Sequence, residues 1–356
     1  MKILLINYDM TVYGGTERVV ANLANSLAKN HDVIILSIYK KNSFVPFLLN
    51  KNVNLHFLYK NTETPLKSKK ITAIKTIINN IIINKMIKKW RRGGVDVIIS
   101  NDYQTFVPIF KLKNTQYIKI IHGNFNVYKQ CNNLSYFHKI ITLSSKELEQ
   151  WKKRHQNIYT IPNFLPCIPS KKTNYRQKNI LSVGRFTQDD LKGFLRLIEI
   201  WNIIQNNKKY QEWTLTIIGE GENKEKIQTK IQDNNLENSI KIKPFTQDIE
   251  KEYLNASIFA MCSYYEGFPM VLIEALSFGL PLVAFDIKTG PSDIIDDGEN
   301  GYLIPDNDLL YFAQKTKILI ENENLRANMG EKAKQKAIKN FSEKTVMLKW
   351  EKILNF

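Results

Sequence analysis

The stretch Ser263-Tyr264-Tyr265-Glu266-Gly267-Phe268-Pro269-Met270-Val271-Leu272-Ile273-Glu274-Ala275 sets two carboxylates, Glu266 and Glu274, around a glycine and a proline. It follows an apolar run, Ile258–Cys262, that reads as a buried strand. It opens a helix that begins near Pro269 and stops at Gly279. Gly267 permits close backbone approach or an unusual φ. Proline suits a first helical turn, so the N–H groups of Met270 and Val271 fall among the donors a helix start leaves without a carbonyl. Those donors and the helix dipole suit an anion, above all a phosphate. Glu266 in the loop and Glu274 one turn into the helix can accept hydrogen bonds from sugar hydroxyls. Acid is favoured at any helix start, so an ordinary pair of surface glutamates is the competing reading.

The elements that must position these residues alternate along the chain. Apolar runs at Ile3–Asn7, Asp32–Ile38, Val53–Leu58, Val95–Ser100, Tyr117–His122 and Lys139–Thr142 read as strands. A helix from about Thr16 to Lys29 carries Val19, Val20, Leu23 and Leu27 at helical spacing. Pro162, Pro166 and Pro169, followed by polar Ser170–Lys178, break the rhythm as a linker does. The pattern then restarts with Ile180–Val183, a helix over Phe194–Ile204, Trp213–Ile218, Ser239–Ile242, Ile258–Cys262, Leu282–Phe285 and Gly301–Ile304. Strands alternating with helices predict parallel, doubly wound sheets. Two such sheets in tandem predict a cleft between domains, where ligands of such sheets bind. The expected domains are residues 1–165 and 176–341, with a last helix at 342–356 packing back on the first.

Composition narrows the function classes. The 356 residues are 43% hydrophobic and 24% charged, ordinary for a globular chain. No apolar run approaches the roughly 18–20 residues of a membrane span, and the start lacks the apolar core of a signal peptide. Three scattered cysteines, Cys131, Cys167 and Cys262, fit a reducing compartment and no structural zinc. The net charge of +17 is concentrated: residues 1–165 carry 25 Lys+Arg against 8 Asp+Glu, and the remainder 26 against 26. Nucleic acid, an anionic membrane or an anionic substrate each suits such a half. Of the 51 basic residues 43 are Lys, whereas sequence-reading of nucleic acid favours bidentate Arg.

Several short motifs accompany the two glutamates: Gly14–Arg18 (GGTER), His122-Gly123, Ile161–Asn163 (IPN), Ser182–Phe186 (SVGRF), Leu191–Gly193 (LKG), Ile217–Gly221 (IIGEG) and Gly290–Pro305 (GPSDIIDDGENGYLIP). In this order, with the E-x7-E pattern of Glu266 and Glu274, they resemble the retaining glycosyltransferases of family 4. The likeness spans nearly the whole chain. It implies a GT-B fold, α/β with two Rossmann-like parallel-sheet domains facing across a cleft, the first binding acceptor and the second a nucleotide sugar.

Roles follow from the resemblance. Arg185 and Lys192 neutralise the diphosphate of the leaving group, with no metal. Glu274 binds ribose hydroxyls and Glu266 the hydroxyls of the donor sugar. The backbone of Gly267, Phe268, Pro269, Met270 and Val271 surrounds phosphate and sugar. His122 hydrogen-bonds the donor sugar near the reaction centre. Gly14 and Gly15 let backbone N–H groups approach phosphate or acceptor. Gly219 ends a strand at the donor site, and Phe245 edges the base pocket. The donor is a substrate, uridine-linked, and no cofactor is expected. Retention needs no nucleophile on the opposite face, so Glu266 is a positioning and electrostatic group. Two departures stand out: Pro269 and Gly290-Pro291-Ser292 replace glycines common in relatives.

From Thr64 to Val95 there is no acid, while Lys67, Lys69, Lys70, Lys75, Lys85, Lys88, Lys89, Arg91 and Arg92 are basic. Ile71, Ile74, Ile78, Ile81 and Ile82 form one helical stripe. Ile83, Met86, Ile87 and Trp90 form another, so the helix is expected to break or shift phase near Asn84. A basic helix with Ile and Trp suits peripheral binding to anionic lipid; a core-packed helix with a lysine face is the alternative. The expected enzyme moves a hexose or N-acetylhexosamine to a lipid-linked or surface polysaccharide acceptor, as in lipopolysaccharide or capsule synthesis. It is expected to be cytoplasmic and peripheral to the inner face of a bacterial membrane, without nucleic acid. The rivals are a GT-B nucleotide-sugar epimerase and a non-catalytic nucleic-acid-binding protein; the latter needs stacking aromatics among its basic residues, and only Trp90 lies in that segment.

Overall fold

The computed structural model describes residues 1–59, 69–89, 94–101, 106–129, 133–246 and 248–354, with backbone alone at 69–73, 75, 88 and 89. The chain divides into two compact units, Met1–Pro166 with Val346–Phe356, and Cys167–Thr345.

Among its described residues the first unit builds a seven-stranded parallel sheet. Its elements are β1 (Lys2–Asp9), α1 (Gly15–Leu27), β2 (Asp32–Tyr39), β3 (Val53–Phe57), α2 (Lys69–Lys89), β4 (Val97–Ser100), β5 (Gln116–Ile121), α3 (Phe125–Tyr128), β6 (Lys139–Thr142), α4 (Leu148–Lys152) and β7 (Ile158–Thr160). The sheet order is β3-β2-β1-β4-β5-β6-β7. The central strands are continuous apolar runs because helices cover both faces of such a sheet. Leu4, Ile6, Leu36 and Ile98 are fully buried in its core, each side chain contributing about 1.5–3 kcal/mol of burial. The order reverses between β1 and β4, a topological switch point.

Among its described residues the second unit repeats the design with six strands, in the order β10-β9-β8-β11-β12-β13. It runs β8 (Asn179–Val183), α5 (Phe194–Gln205), β9 (Thr214–Ile218), α6 (Lys224–Asp233), β10 (Ile240–Lys243), α7 (Ile249–Leu254), β11 (Ile258–Met261), α8 (Met270–Ser277), β12 (Leu282–Asp286), α9 (Pro291–Ile294), β13 (Gly301–Pro305), α10 (Leu309–Glu321) and α11 (Glu323–Phe341), and the last helix, α12 (Glu343–Leu354), belongs to the first unit from Val346 onward. Here the switch lies between β8 and β11. The proline-rich junction is bonded into this unit. The Thr173 hydroxyl donates to the carbonyl of Ala256, and Lys334 Nζ to those of Ser170 and Lys171 at 2.9 and 2.8 Å.

The expected break near Asn84 does not occur. α2 runs unbroken from Lys69 to Lys89. Its inner face is Asn79, Asn80, Ile83 and Ile87, while Ile74, Ile77, Ile78 and Ile81 are exposed. Tyr59 OH donates to Asn79 Oδ1 at 2.7 Å, and Asn80 Nδ2 donates to the Thr76 carbonyl at 2.9 Å. Two asparagines thus share the buried face with Ile83 and Ile87 of the second stripe, while Ile74, Ile78 and Ile81 of the first face outward. Most of the basic side chains of residues 67–92, and Trp90, lie outside the described residues. Among those described, no helix is long and apolar enough to cross a membrane.

Candidate active site

The switch point of the second sheet gathers the charged residues. Arg185 and Lys192 follow β8, and Glu266 follows its neighbour β11. Lys192 Nζ lies 2.6 Å from Glu266 Oε1, and Ser263 Oγ donates to the same oxygen at 2.7 Å. Thr289 Oγ1 holds the Glu266 carbonyl at 2.6 Å. Glu266 is thus a carboxylate fixed by a cation and a hydroxyl, its side chain 10% exposed. The Arg185 guanidinium is open to solvent and stands 3.9 Å from Glu222.

The loops are held to this shape from below. Gly193 has φ +68°, and a Cβ there would lie 1.8 Å from the Cys262 carbonyl oxygen. Only glycine fits. Asp190 caps α5, accepting from the N–H groups of Phe194 and Leu195 at 3.0 and 3.1 Å; burial raises its pKa. The buried Arg196 donates to the carbonyls of Cys262 and Ser263 at 2.6 Å each and to Asp306 at 2.9 Å. Its guanidinium stacks 3.7 Å from the Tyr264 ring centre. Tyr264 N donates to the Leu191 carbonyl at 2.8 Å, so the two loops of the site are bonded to each other.

Pro269 stands at the N-cap of α8, one residue before the helix, and Met270 and Val271 form its first turn. Phe268 is buried against Phe341, with ring centres 5.8 Å apart. Gly290, at φ +100°, lies so close to Pro269 that a Cβ would meet its Cδ at 2.5 Å. Gly267 links the charged loop to this packed corner. Glu274 is buried, its Oε2 accepting from Tyr253 OH at 2.7 Å, and Tyr253 stacks on Phe278. Gly219 closes β9, where a Cβ would strike the Gly184 carbonyl oxygen at 2.0 Å, and Phe245 lies exposed beyond β10. Arg185, Lys192, Gly219, Phe245 and Glu266 each follow the C-terminal end of a strand, the ligand edge of such folds. Among the described residues no cluster of three His, Cys, Asp or Glu side chains is placed to hold a metal ion.

Residues 168–336, which carry this edge, match the family described as glycosyl transferases group 1. The match covers most of the second unit, Cys167–Thr345. The whole chain is 29% identical to an uncharacterized glycosyltransferase of Haemophilus influenzae, over 96% of both chains. It is 29% identical over 99% of both chains to the amylovoran biosynthesis glycosyltransferase AmsD of Erwinia amylovora. The fold matches that of an S. aureus TarM variant solved with Fondaparinux, alpha-GlcNAc-glycerol and UDP, at a TM-score of 0.79, 19% identity and full coverage of both chains.

Outside the matched residues, the first unit holds the other sequence candidates. His122 follows β5, and its Nε2 lies 3.0 Å from Asn101 Oδ1. An amide oxygen only accepts, so with the amide in this orientation Nε2 carries the proton. Desolvation and the nearby Lys119 charge lower the His122 pKa to about 3, so the ring is neutral at physiological pH. Gly14 is the N-cap of α1 and Gly15 its first residue. The Glu17 carboxylate folds over Gly14 so closely that a Cβ there would lie 2.0 Å from Oε2. A carboxylate in that position opposes phosphate.

Four residues that organise this site, Arg196, Tyr253, Ser263 and Thr289, were not singled out from sequence as parts of it. Each is a lone polar side chain whose partner is brought to it only by the fold. The one available signal was Ser263, which opens the motif stretch.

Proposed function

We propose that the protein is a retaining glycosyltransferase that moves a hexose or N-acetylhexosamine from a uridine-linked donor to a saccharide acceptor. The observation that carries this reading is the grouping of Arg185, Lys192 and Glu266 at the switch point of a group 1 domain. Support for a polysaccharide product comes from AmsD, whose name concerns amylovoran biosynthesis. Support for a uridine nucleotide comes from TarM, solved with UDP. The family match favours neither the epimerase nor the nucleic-acid reading.

In this account Arg185 and Lys192 meet the diphosphate, and the first N–H groups of α8 add a positive end without a metal. The bond from C1 of the sugar to the phosphate oxygen breaks, and its electron pair leaves with the phosphate. The acceptor oxygen bonds to C1 on the same face, and its proton passes to the departing phosphate. Glu266, fixed by Ser263 and Thr289, orients sugar hydroxyls, and Lys192 moves from its pairing with Glu266 towards phosphate. Glu274, held by Tyr253, takes the ribose. This follows the family 4 pattern of the motifs.

The acceptor in this proposal is lipid-linked or a surface polysaccharide, and the protein works peripherally at the cytoplasmic face of the membrane. The exposed Ile74, Ile77, Ile78 and Ile81 of α2 supply an apolar strip, and residues 1–165 the positive charge.

Thermal unfolding with uridine diphosphate tests the donor half. The wild type should gain several degrees in Tm, and Arg185→Ala and Lys192→Ala should lose most of that gain. No gain with any nucleoside diphosphate would overturn the proposal.

A further inference from the structure

The first sheet has a cleft at the edge opposite the one that carries His122. It holds about 530 Å³ and is lined by Lys111, Leu112, Asn114, Thr115, Gln116 and His138, a volume within the roughly 300–1,000 Å³ of small-molecule pockets. Gln116 opens β5, and His138 immediately precedes β6. His122 follows the far end of β5, roughly 20 Å from Gln116 at the rise of a strand, so no small ligand touches both. The walls are fixed by bonds of their own. Leu112 N donates to Tyr117 OH at 3.0 Å, and Thr115 Oγ1 to the Val95 carbonyl at 2.7 Å. The His138 ring packs edge-on to Tyr117, with ring centres 5.7 Å apart. Within this frame Gln116 is only 6% exposed, and its Oε1 is buried with no hydrogen-bond partner. Such an atom calls for an explanation. The last torsion of a glutamine is soft, so the amide can turn its oxygen or its nitrogen to a ligand. Tyr117 N donates to His138 Nδ1 at 3.0 Å, which leaves Nε2–H as the donor of that ring. The lining thus offers a cation at Lys111, a ring N–H at His138 and an amide that both donates and accepts, and it contains no acid.

We propose that this cleft is a second ligand site, separate from the candidate active site, that takes a hexose phosphate. The phosphate meets Lys111 and His138 Nε2, and sugar hydroxyls, each both donor and acceptor, satisfy the Gln116 amide. The proposal stands on the chemistry of the cleft and does not depend on the glycosyltransferase reading. Sulfate brings no donor for Gln116 Oε1, and a neutral sugar leaves the cation unmet, so neither alone fills the site. Burial and the positive charges of Lys111 and Lys139 lower the His138 pKa. A phosphate beside the ring opposes those charges, so its arrival raises that pKa.

The test follows the His138 ring resonance of the full chain by NMR, with His138→Gln to identify the signal. The probes are glucose 1-phosphate, glucose 6-phosphate, galactose 1-phosphate and N-acetylglucosamine 1-phosphate, with inorganic phosphate, sulfate and glucose as controls. At least one hexose phosphate should shift the resonance to saturation and raise its titration midpoint. The same compound should bind at least tenfold more tightly than inorganic phosphate, sulfate or glucose. Gln116→Leu and Lys111→Ala should each weaken it at least tenfold while leaving the thermal stabilisation by uridine diphosphate as in wild type. Gln116→Leu should also melt no lower than wild type, since it removes an amide that lacks a partner in the free protein. Should that variant fail to fold, the exposed Lys111 position carries the test. A resonance that no hexose phosphate shifts, or a shift that survives both substitutions, overturns the site. Inorganic phosphate or sulfate binding as tightly as every hexose phosphate overturns the sugar and leaves a bare anion. A failure of uridine diphosphate to stabilise the wild type would count against the glycosyltransferase reading alone.

Discussion

At the residue scale, Lys192 and Arg185 differ in what holds them. Lys192 is bonded to Glu266 at 2.6 Å, whereas the Arg185 side chain is 66% exposed and, among the described residues, pairs with Glu222 alone, at 3.9 Å. Arg185→Ala should therefore leave Tm within about 1 °C of wild type, since such surface changes are near neutral. It should still cut donor turnover about 100-fold, as loss of a charge-stabilising donor does. Unchanged turnover in this folded variant would remove Arg185 from the mechanism. Tyr253→Phe deletes the hydroxyl that holds Glu274 Oε2. It should cost about 1 kcal/mol of stability and raise the donor KM more than it lowers kcat. The His122 pKa is lowered from 6.5 to about 3. Between those values the unfolded chain takes up a proton that the folded one refuses. Stability therefore falls as pH drops below about 6.5, by at most about 1.4 kcal/mol per pH unit from this group. Denaturant titrations at pH 7 and pH 5 should show a smaller acid loss for His122→Gln than for wild type. An equal loss would contradict the burial argument.

At the scale of elements, the site depends on two loops bonded to each other. Gly193→Ala combines a left-handed φ with a clash against the Cys262 carbonyl. It should cost about 3 kcal/mol or more and lower Tm by roughly 10 °C. An alanine variant as stable as wild type would show that the two loops are not rigidly coupled. The strands themselves were legible as apolar runs, because a sheet covered on both faces demands them. The strand β7, Ile158–Thr160, was not: it is short, lies at the sheet edge and is only half-buried, so it leaves no apolar run. α2 was legible as a helix, but its inward face was not, since Asn79 and Asn80 are buried with Ile83 and Ile87 while four isoleucines are exposed. Within the site, the charged residues stood in motifs that the sequence displays. Arg196, Tyr253 and Thr289 did not, since their role is to hold backbone or carboxylate atoms that approach only after folding.

At the scale of the molecule, the charge asymmetry has a physical consequence. Residues 1–165 carry 25 Lys+Arg against 8 Asp+Glu, and α2 adds exposed isoleucines. Flotation with vesicles should show binding to phosphatidylglycerol and little to phosphatidylcholine, falling steeply between 0.05 and 0.5 M salt as screening grows. Ile77→Ser with Ile81→Ser should weaken the bound fraction several-fold at fixed salt. Binding that ignores both lipid charge and these isoleucines would locate membrane association elsewhere or nowhere. The central claim concerns chemistry. Its most direct test incubates the full chain with a panel of nucleotide sugars and bacterial membrane lipid extract, reading free nucleoside diphosphate. The account predicts that one uridine-linked donor is consumed, that lipid extract accelerates it, and that Glu266→Gln and Lys192→Ala each reduce it about 100-fold. Consumption of no donor, with or without lipid, by a protein that uridine diphosphate also fails to stabilise, would contradict it.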